Sequence, residues 1–153
     1  MSISRQNLTI VIVTFKSEEV IHDCINSIGN GIKIIVVENS NSLEFKNKIE
    51  KTYKNVECII STKNLGMGGG NNLGINLTKT DYVLILNPDV VLEESTIDEL
   101  FIASKIISNY IILAPISDNK YYPNYQTDKR QETFKNKESS FEVKSVDGFA
   151  MLI

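Results

Sequence analysis

The chain has 153 residues, with 16 Lys and Arg against 19 Asp and Glu and a formal net charge of −3. That length suits one domain around one core, and the interspersed charges exclude the basic footprint of a nucleic-acid binder. No run approaches the roughly 18 uninterrupted apolar residues of a membrane-spanning helix, and Cys24 and Cys58, the only cysteines, each sit within an apolar pattern and form no metal-binding cluster.

The amino terminus, MSISRQNLTIVIV, lacks the small-residue cleavage site of a secretory signal, so a cytoplasmic chain is expected. A peripheral membrane association, at the inner face, is compatible with that reading. Residues 8–15, LTIVIVTF, are a β-branched run without helical period, the pattern of a strand buried on both faces. SEEVIHDCINSI then places Val20, Ile21, Cys24, Ile25 and Ile28 at helical spacing, with Ser17 as a candidate cap and Glu18 and Glu19 in the first turn. Gly29 and Gly31 close that helix, KIIVVEN predicts a second buried strand, and SLEFKNKIEKTY predicts a helix with Phe45, Ile49 and Tyr53 on one side.

VECIIS is a third strand. The glycine-rich segment NLGMGGGNNLGI, residues 64–75, leads into a short helix expected over residues 72–77, and YVLILN is a fourth strand. After Asn87-Pro88-Asp89, Ser95 is a candidate cap for a helix with Ile97, Leu100, Phe101, Ile106 and Ile107 facing inward, and YIILAPI predicts a fifth strand. Residues 117–140 form a polar excursion carrying Tyr121, Tyr122, Tyr125 and Phe134. The chain then ends FEVKSVDGFAMLI, a strand-like pair that stops on bare hydrophobics and reads as cut short. The alternation predicts an α/β fold: a Rossmann-like, mostly parallel sheet flanked by helices on both faces, in a single domain over residues 1–153.

In such a sheet, ligands bind beyond the carboxyl ends of the strands. Four segments fall there: Thr14-Phe15, Glu38-Asn39-Ser40, the glycine segment and Asn87-Pro88-Asp89. A dinucleotide fingerprint is the first reading of the glycines, and with it an NAD(P)-binding domain. It fails on spacing, because the sixth position counted from Gly66 is Asn71 and from Gly68 is Leu73. No Lys-Ser or Lys-Thr pair directly follows these glycines, as a P-loop needs. What remains is glycine backbone beside Asn64, Asn71 and Asn72, a set that suits hydroxyl-rich and phosphate-bearing ligands. Asp89 at a strand end offers a carboxylate to a divalent ion. Glu38 is placed either to accept from a base or ribose or to cap the next helix, and His22, off the apolar face of its helix, reads as a solvated surface side chain.

Strand-VTF, strand-ENS, NLGMGGGNNLGI, LILNPDV and VDGFAMLI stand in the order and spacing of the inverting GT-A glycosyltransferases of family 2. The chain resembles their amino-terminal, donor-binding portion, most closely in the bacterial rhamnosyltransferase-like branch. The resemblance implies transfer of a sugar from a nucleotide-diphospho-sugar to the hydroxyl of a carbohydrate or lipid-linked acceptor, in cell-surface polysaccharide or glycolipid assembly. A non-catalytic nucleotide-sugar-binding module is the alternative. By position, Thr14 and Phe15 match the segment lining the base pocket, and Glu38 stands where the family usually has an Asp contacting base or ribose. Asn64, Gly66, Gly70 and Asn71 match the loop along the diphosphate-sugar, so bulk at Gly70 or loss of Asn71 is expected to weaken donor binding while leaving the fold intact. Asn87 and Asp89 match the first and last positions of the DxD motif, Asp89 meeting Mg or Mn. The family's catalytic base is an acidic residue expected beyond Ile153; Asp147, beside Gly148, does not occupy its position. The bare apolar end at residues 149–153 suggests pairing with a second copy in a homodimer.

Overall fold

In a computed structural model, the described residues are 3–107, 109–119, 121, 123–127 and 142–153. After a 3-10 turn at Arg5–Asn7 come β1 (Leu8–Thr14), α1 (Ile21–Ile28), β2 (Lys33–Glu38), α2 (Leu43–Thr52), β3 (Val56–Ile60), α3 (Gly66–Leu77), β4 (Tyr82–Leu86) and α4 (Thr96–Ile106). Three short strands follow: β5 (Tyr125–Gln126), β6 (Ser145–Val146) and β7 (Ala150–Leu152). The main sheet has the order β3-β2-β1-β4-β7, parallel except for the β4–β7 pair, while β5 and β6 pair separately.

That order fixes where the helices lie. The chain steps outward from β1 to β2 to β3, then crosses back to place β4 on the other side of β1. Right-handed crossovers require the returning connection to use the opposite face. Accordingly Ile21, Cys24, Ile25 and Ile28 of α1, Phe45 and Ile49 of α2, and Ile97 and Leu100 of α4 pack with Ile10, Ile12, Ile34, Val36, Leu84 and Leu86. Leu73 and Ile75 of α3 pack with Val11, Val13, Ile35, Val37, Val83 and Ile85. Alternate residues of the same strands thus feed two cores, which is why the strands read as continuous apolar runs. Each fully buried Ile or Leu contributes about 1.5–3 kcal/mol.

Several local expectations change. Ser17 begins the first helix through its carbonyl, which accepts from Val20 and Ile21, and not through its hydroxyl; α1 starts at Ile21, so Glu18 and Glu19 precede it. Ser95 is the N-cap of α4 without a side-chain cap bond. Ile106 is 69% exposed and not inward-facing. YIILAPI is not a strand: of it, Leu113 alone makes an isolated bridge, to Leu152. His22 is partly buried, its Nδ1 3.0 Å from the Tyr53 hydroxyl. The excursion's Tyr122 and Phe134 lie outside the described residues.

The apolar terminus, expected to be bare and open to a second copy, is instead stitched into the sheet. β7 pairs antiparallel with β4 in the register Leu84↔Leu152 and Leu86↔Ala150, and Val83 and Ile153 exchange both backbone hydrogen bonds. Ala150 and Leu152 are buried. The exposed patch on which the homodimer reading rested is therefore absent from this terminus.

On the outer side of β3, the Cys58 N–H donates to Glu50 Oε1 at 2.8 Å and its carbonyl accepts from Lys46 Nζ, while Lys46 and Glu50 pair at 2.8 Å. The Lys46 hydrogen bond, helped by the Cys58 N–H, holds the Glu50 carboxyl below its ordinary range. A depressed carboxyl pKa stabilises the fold above the unfolded value, and that contribution is lost as pH falls through the folded one. Glu50→Gln is therefore expected to be less stable than the parent in urea at pH 7, with the gap closing at pH 3. An equal gap at both pH values would show that the ionised carboxylate adds nothing.

Candidate functional site

β1 to β4 run in the same direction, so their carboxyl ends share one edge, and the strand order reverses between β1 and β4. That reversal opens the crevice where ligands of open α/β sheets bind. The register Thr14↔Glu38 sets the ends of β1 and β2 level, and Ile12↔Leu86 delivers Asn87 to Asp89 past the end of β4 on the other side of β1.

Thr14 and Glu38 are in direct contact: Thr14 Oγ1 donates to Glu38 Oε2 at 2.5 Å, and both residues are buried. Glu38 Oε1 accepts from the Ser40 N–H at 2.6 Å and from Ser40 Oγ. Phe15 stands 51% exposed beside them, with Lys16 Nζ 5.8 Å from its ring centroid. An exposed ring at a strand end is a surface on which a planar base can stack.

The glycine segment is the largest departure from the sequence reading. It is not a loop leading to a helix at residue 72: Gly66 opens α3, and the glycines form its first turns. Among the glycines of α3 only Gly66, with φ 66°, needs the left-handed region. Gly70 and Gly74, four residues apart, face β1 so closely that a Cβ would lie 2.7 Å from Val13 Cγ1 and 2.4 Å from Val11 Cγ1, respectively. Gly70 is thus a packing glycine, and bulk there disturbs the helix–sheet contact, contrary to the expectation of an intact fold. Helix propensity argues against so many glycines by up to about 1 kcal/mol each. Tertiary packing overrides it here.

The N-cap residue of α3, Leu65, has no side chain that can cap, and the first turn carries no acidic residue. Asn64 Oδ1 accepts from the Gly66 N–H at 2.8 Å, leaving the following N–H groups without intrahelical partners. A Cβ on Gly68 would meet nothing within 4 Å. Such an open helix start suits an anion. Its position is set by Asn39, which the sequence places at a strand end without giving it a role. Asn39, buried at the end of β2, donates from Nδ2 to Gly66 O at 3.1 Å, while its Oδ1 lies 2.9 Å from Ser61 Oγ and 3.4 Å from the Leu65 N. The available signal was an amide directly after the Glu at one strand end and a hydroxyl at the next. Asn71 keeps only 9% of its surface exposed.

Past β4, the Asn87 N–H donates to Phe149 O at 2.8 Å and its carbonyl accepts from Cys24 Sγ at 3.4 Å. Burial, reinforced by the negative charge of Asp89, pushes the Cys24 thiol up to about 12, so it is no nucleophile. Asp89 is exposed in the turn. Among the described residues no three His, Cys, Asp or Glu side chains cluster to hold a metal by themselves. The donors present, the Asp89 carboxylate and the Asn87 amide oxygen, are hard oxygens of the kind Mg or Mn prefers, and they fit an ion that brings further oxygens with its ligand. Among the described residues, no helix is long and apolar enough to cross a membrane.

A family model described as Glycosyl transferase family 2 matches residues 9–149. The low-salt glycan biosynthesis hexosyltransferase Agl10 of Haloferax volcanii is 34% identical over 113 residues, covering 71% of this chain and 36% of that protein. The chain therefore spans about a third of this relative's length. Among solved structures, the mannosyltransferase PcManGT from Pyrobaculum calidifontis, in complex with GDP-Man and Mn2+, superposes with TM-score 0.67 at 12% identity, covering 98% of this chain and 45% of that one. TarS 1-349 of S. aureus, in complex with UDP-GlcNAc, superposes with TM-score 0.57 at 18% identity, covering 65% and 31%.

Proposed function

Because this chain belongs to glycosyltransferase family 2 and has its GT-A fold, we propose that it holds a nucleotide-diphospho-sugar at the β1/β4 crevice, for inverting transfer to an acceptor hydroxyl in glycan assembly. One observation carries the reading: an exposed aromatic ring, a helix start held by a buried amide, and an exposed carboxylate all lie at the carboxyl edge of the parallel strands, where the sheet order reverses. Those three features match the base, the diphosphate and its counter-ion.

In this reading Phe15 stacks on the base, and the free N–H groups following Gly66 in α3 take diphosphate oxygens. Asn64, Gly66, Gly70 and Asn71 lie along the diphosphate-sugar, with Gly70 acting through the close approach of α3 to β1. Asn87 and Asp89 hold the divalent ion, which, when bound, offsets charge developing on the departing nucleoside diphosphate. The support is the hard-oxygen donor set and the Mn2+ complex of the mannosyltransferase structure. The acceptor's proton must pass to a general base that none of these residues supplies.

The test is a thermal-shift panel of UDP-, GDP- and dTDP-sugars with and without Mn2+, with NAD(P) as the rival. A donor at about 100 times its Kd adds about 2.7 kcal/mol of stability, a rise of several degrees in Tm. A shift with NAD(P) and with no nucleotide sugar would overturn the proposal. Following release of nucleoside diphosphate in the same samples separates a transferring chain from one that only binds.

A further inference from the structure

Glu38 is a carboxylate at the rim of the crevice, yet it is only 1% exposed. Both of its oxygens are turned to the chain's own donors: Oε2 to Thr14 Oγ1 at 2.5 Å, and Oε1 to the Ser40 N–H at 2.6 Å and to Ser40 Oγ. Those donors replace the water that an ionised carboxylate gives up on burial. A ligand can reach these oxygens only by displacing them.

The arrangement has a directional consequence at Ser40. Its hydroxyl proton is committed to Glu38, so what Ser40 Oγ offers a ligand is its lone pairs. Ser40 is half-buried at the rim, whereas Thr14 is 0% exposed and out of reach. Asn41, with φ 61°, turns the chain immediately afterwards toward Ser42, whose hydroxyl caps α2. Backbone and side chain together hold the Ser40 oxygen in one orientation.

We propose that Glu38 is a positioning residue, and that Ser40 Oγ is the atom that accepts an N–H or O–H from the nucleoside. The inference rests on the nucleotide-sugar reading and gives recognition of the nucleoside to the group that Glu38 holds.

Calorimetry at 25 °C with UDP, GDP and dTDP on parent, Ser40→Ala, Ser40→Thr, Glu38→Gln and the Glu38→Gln/Ser40→Ala double variant, each checked for folding by circular dichroism, decides it. Ser40→Ala is expected to weaken the preferred nucleotide about 10-fold, the loss of one hydrogen bond, and Ser40→Thr, which keeps the hydroxyl, to restore most of it. Glu38→Gln, which acts through Ser40, should cost the same nucleotide a similar factor, and the double variant should be no weaker than the worse single one. A merely structural Glu38 lowers Tm but leaves the affinity of the folded variant at the parent value, and that result overturns the proposal. So does a Ser40→Ala that binds as the parent while Glu38→Gln reorders the three bases, since the carboxylate is then the reader. If Glu38→Gln does not fold, the Ser40 pair alone decides. A parent that binds none of the three nucleotides overturns the nucleotide-sugar reading, and this inference with it.

Discussion

Gly74→Val is expected to destabilise the fold by about 3 kcal/mol or more. Even the Cβ of an alanine at this position would lie 2.4 Å from Val11 Cγ1 and 3.2 Å from Cγ2, and Val11 is fully buried in a strand with neighbours on both sides. Two effects oppose each other. Replacing a mid-helix glycine ordinarily stabilises by up to about 1 kcal/mol, but overpacking a rigid core costs about 1–3 kcal/mol and sometimes more. The contact distance decides for destabilisation. Gly68→Ala, with nothing within 4 Å and an ordinary φ, isolates the first effect and should be neutral or mildly stabilising. Val11→Ala in a Gly74→Ala background should recover part of the loss, because it removes the methyl groups that the new Cβ meets. Urea denaturation of this set is the check; a Gly74→Val chain as stable as Gly68→Ala would mean that α3 stands farther from β1 than the structure has it.

Asp89→Asn is expected to abolish most of the gain in donor affinity that Mn2+ confers, by a factor of at least about 10, the lower bound seen when even an outer partner of a metal is lost. The side chain is exposed and forms none of the ion pairs among the described residues, so stability should stay within about 0.5 kcal/mol of the parent. Titrating the nucleotide-sugar with and without Mn2+, and following free Mn2+ by its electron paramagnetic resonance signal, separates loss of the ion from loss of the donor. Undiminished Mn2+ dependence in Asp89→Asn would remove this residue from the proposed metal site.

Reading the sequence located the four parallel strands and the helices between them because each buried strand is an unbroken β-branched run and each helix carries its own apolar stripe. It misjudged segments whose structure depends on partners distant in sequence. α3 has the composition of a loop, and its helical state follows from a fit against Val11 and Val13 that no local pattern reveals. YIILAPI has strand composition, but only Leu113 finds a partner, Leu152, and a strand needs pairing as well as propensity. The terminal hydrophobics looked bare because an antiparallel partner in β4, far back in the chain, is invisible to periodicity. At the site, Thr14, Phe15, Glu38 and Asp89 were legible as residues at strand ends. Asn39 and Ser40 were legible only as places at the same strand end, and Ser61 not at all, because their part is to orient neighbours across the edge, which only the register of β1, β2 and β3 brings together.

The pair Lys46 and Glu50 also bears on how this sheet meets other chains. An intruding strand docking on β3 would need the outward N–H and C=O of Cys58, near the middle of that strand, and α2 already occupies both. Recruitment of further strands, the first step toward fibrils, is interrupted there by a side chain of each charge. Truncating Lys46 and Glu50 should leave nucleotide binding alone and shorten the lag of aggregation at elevated temperature.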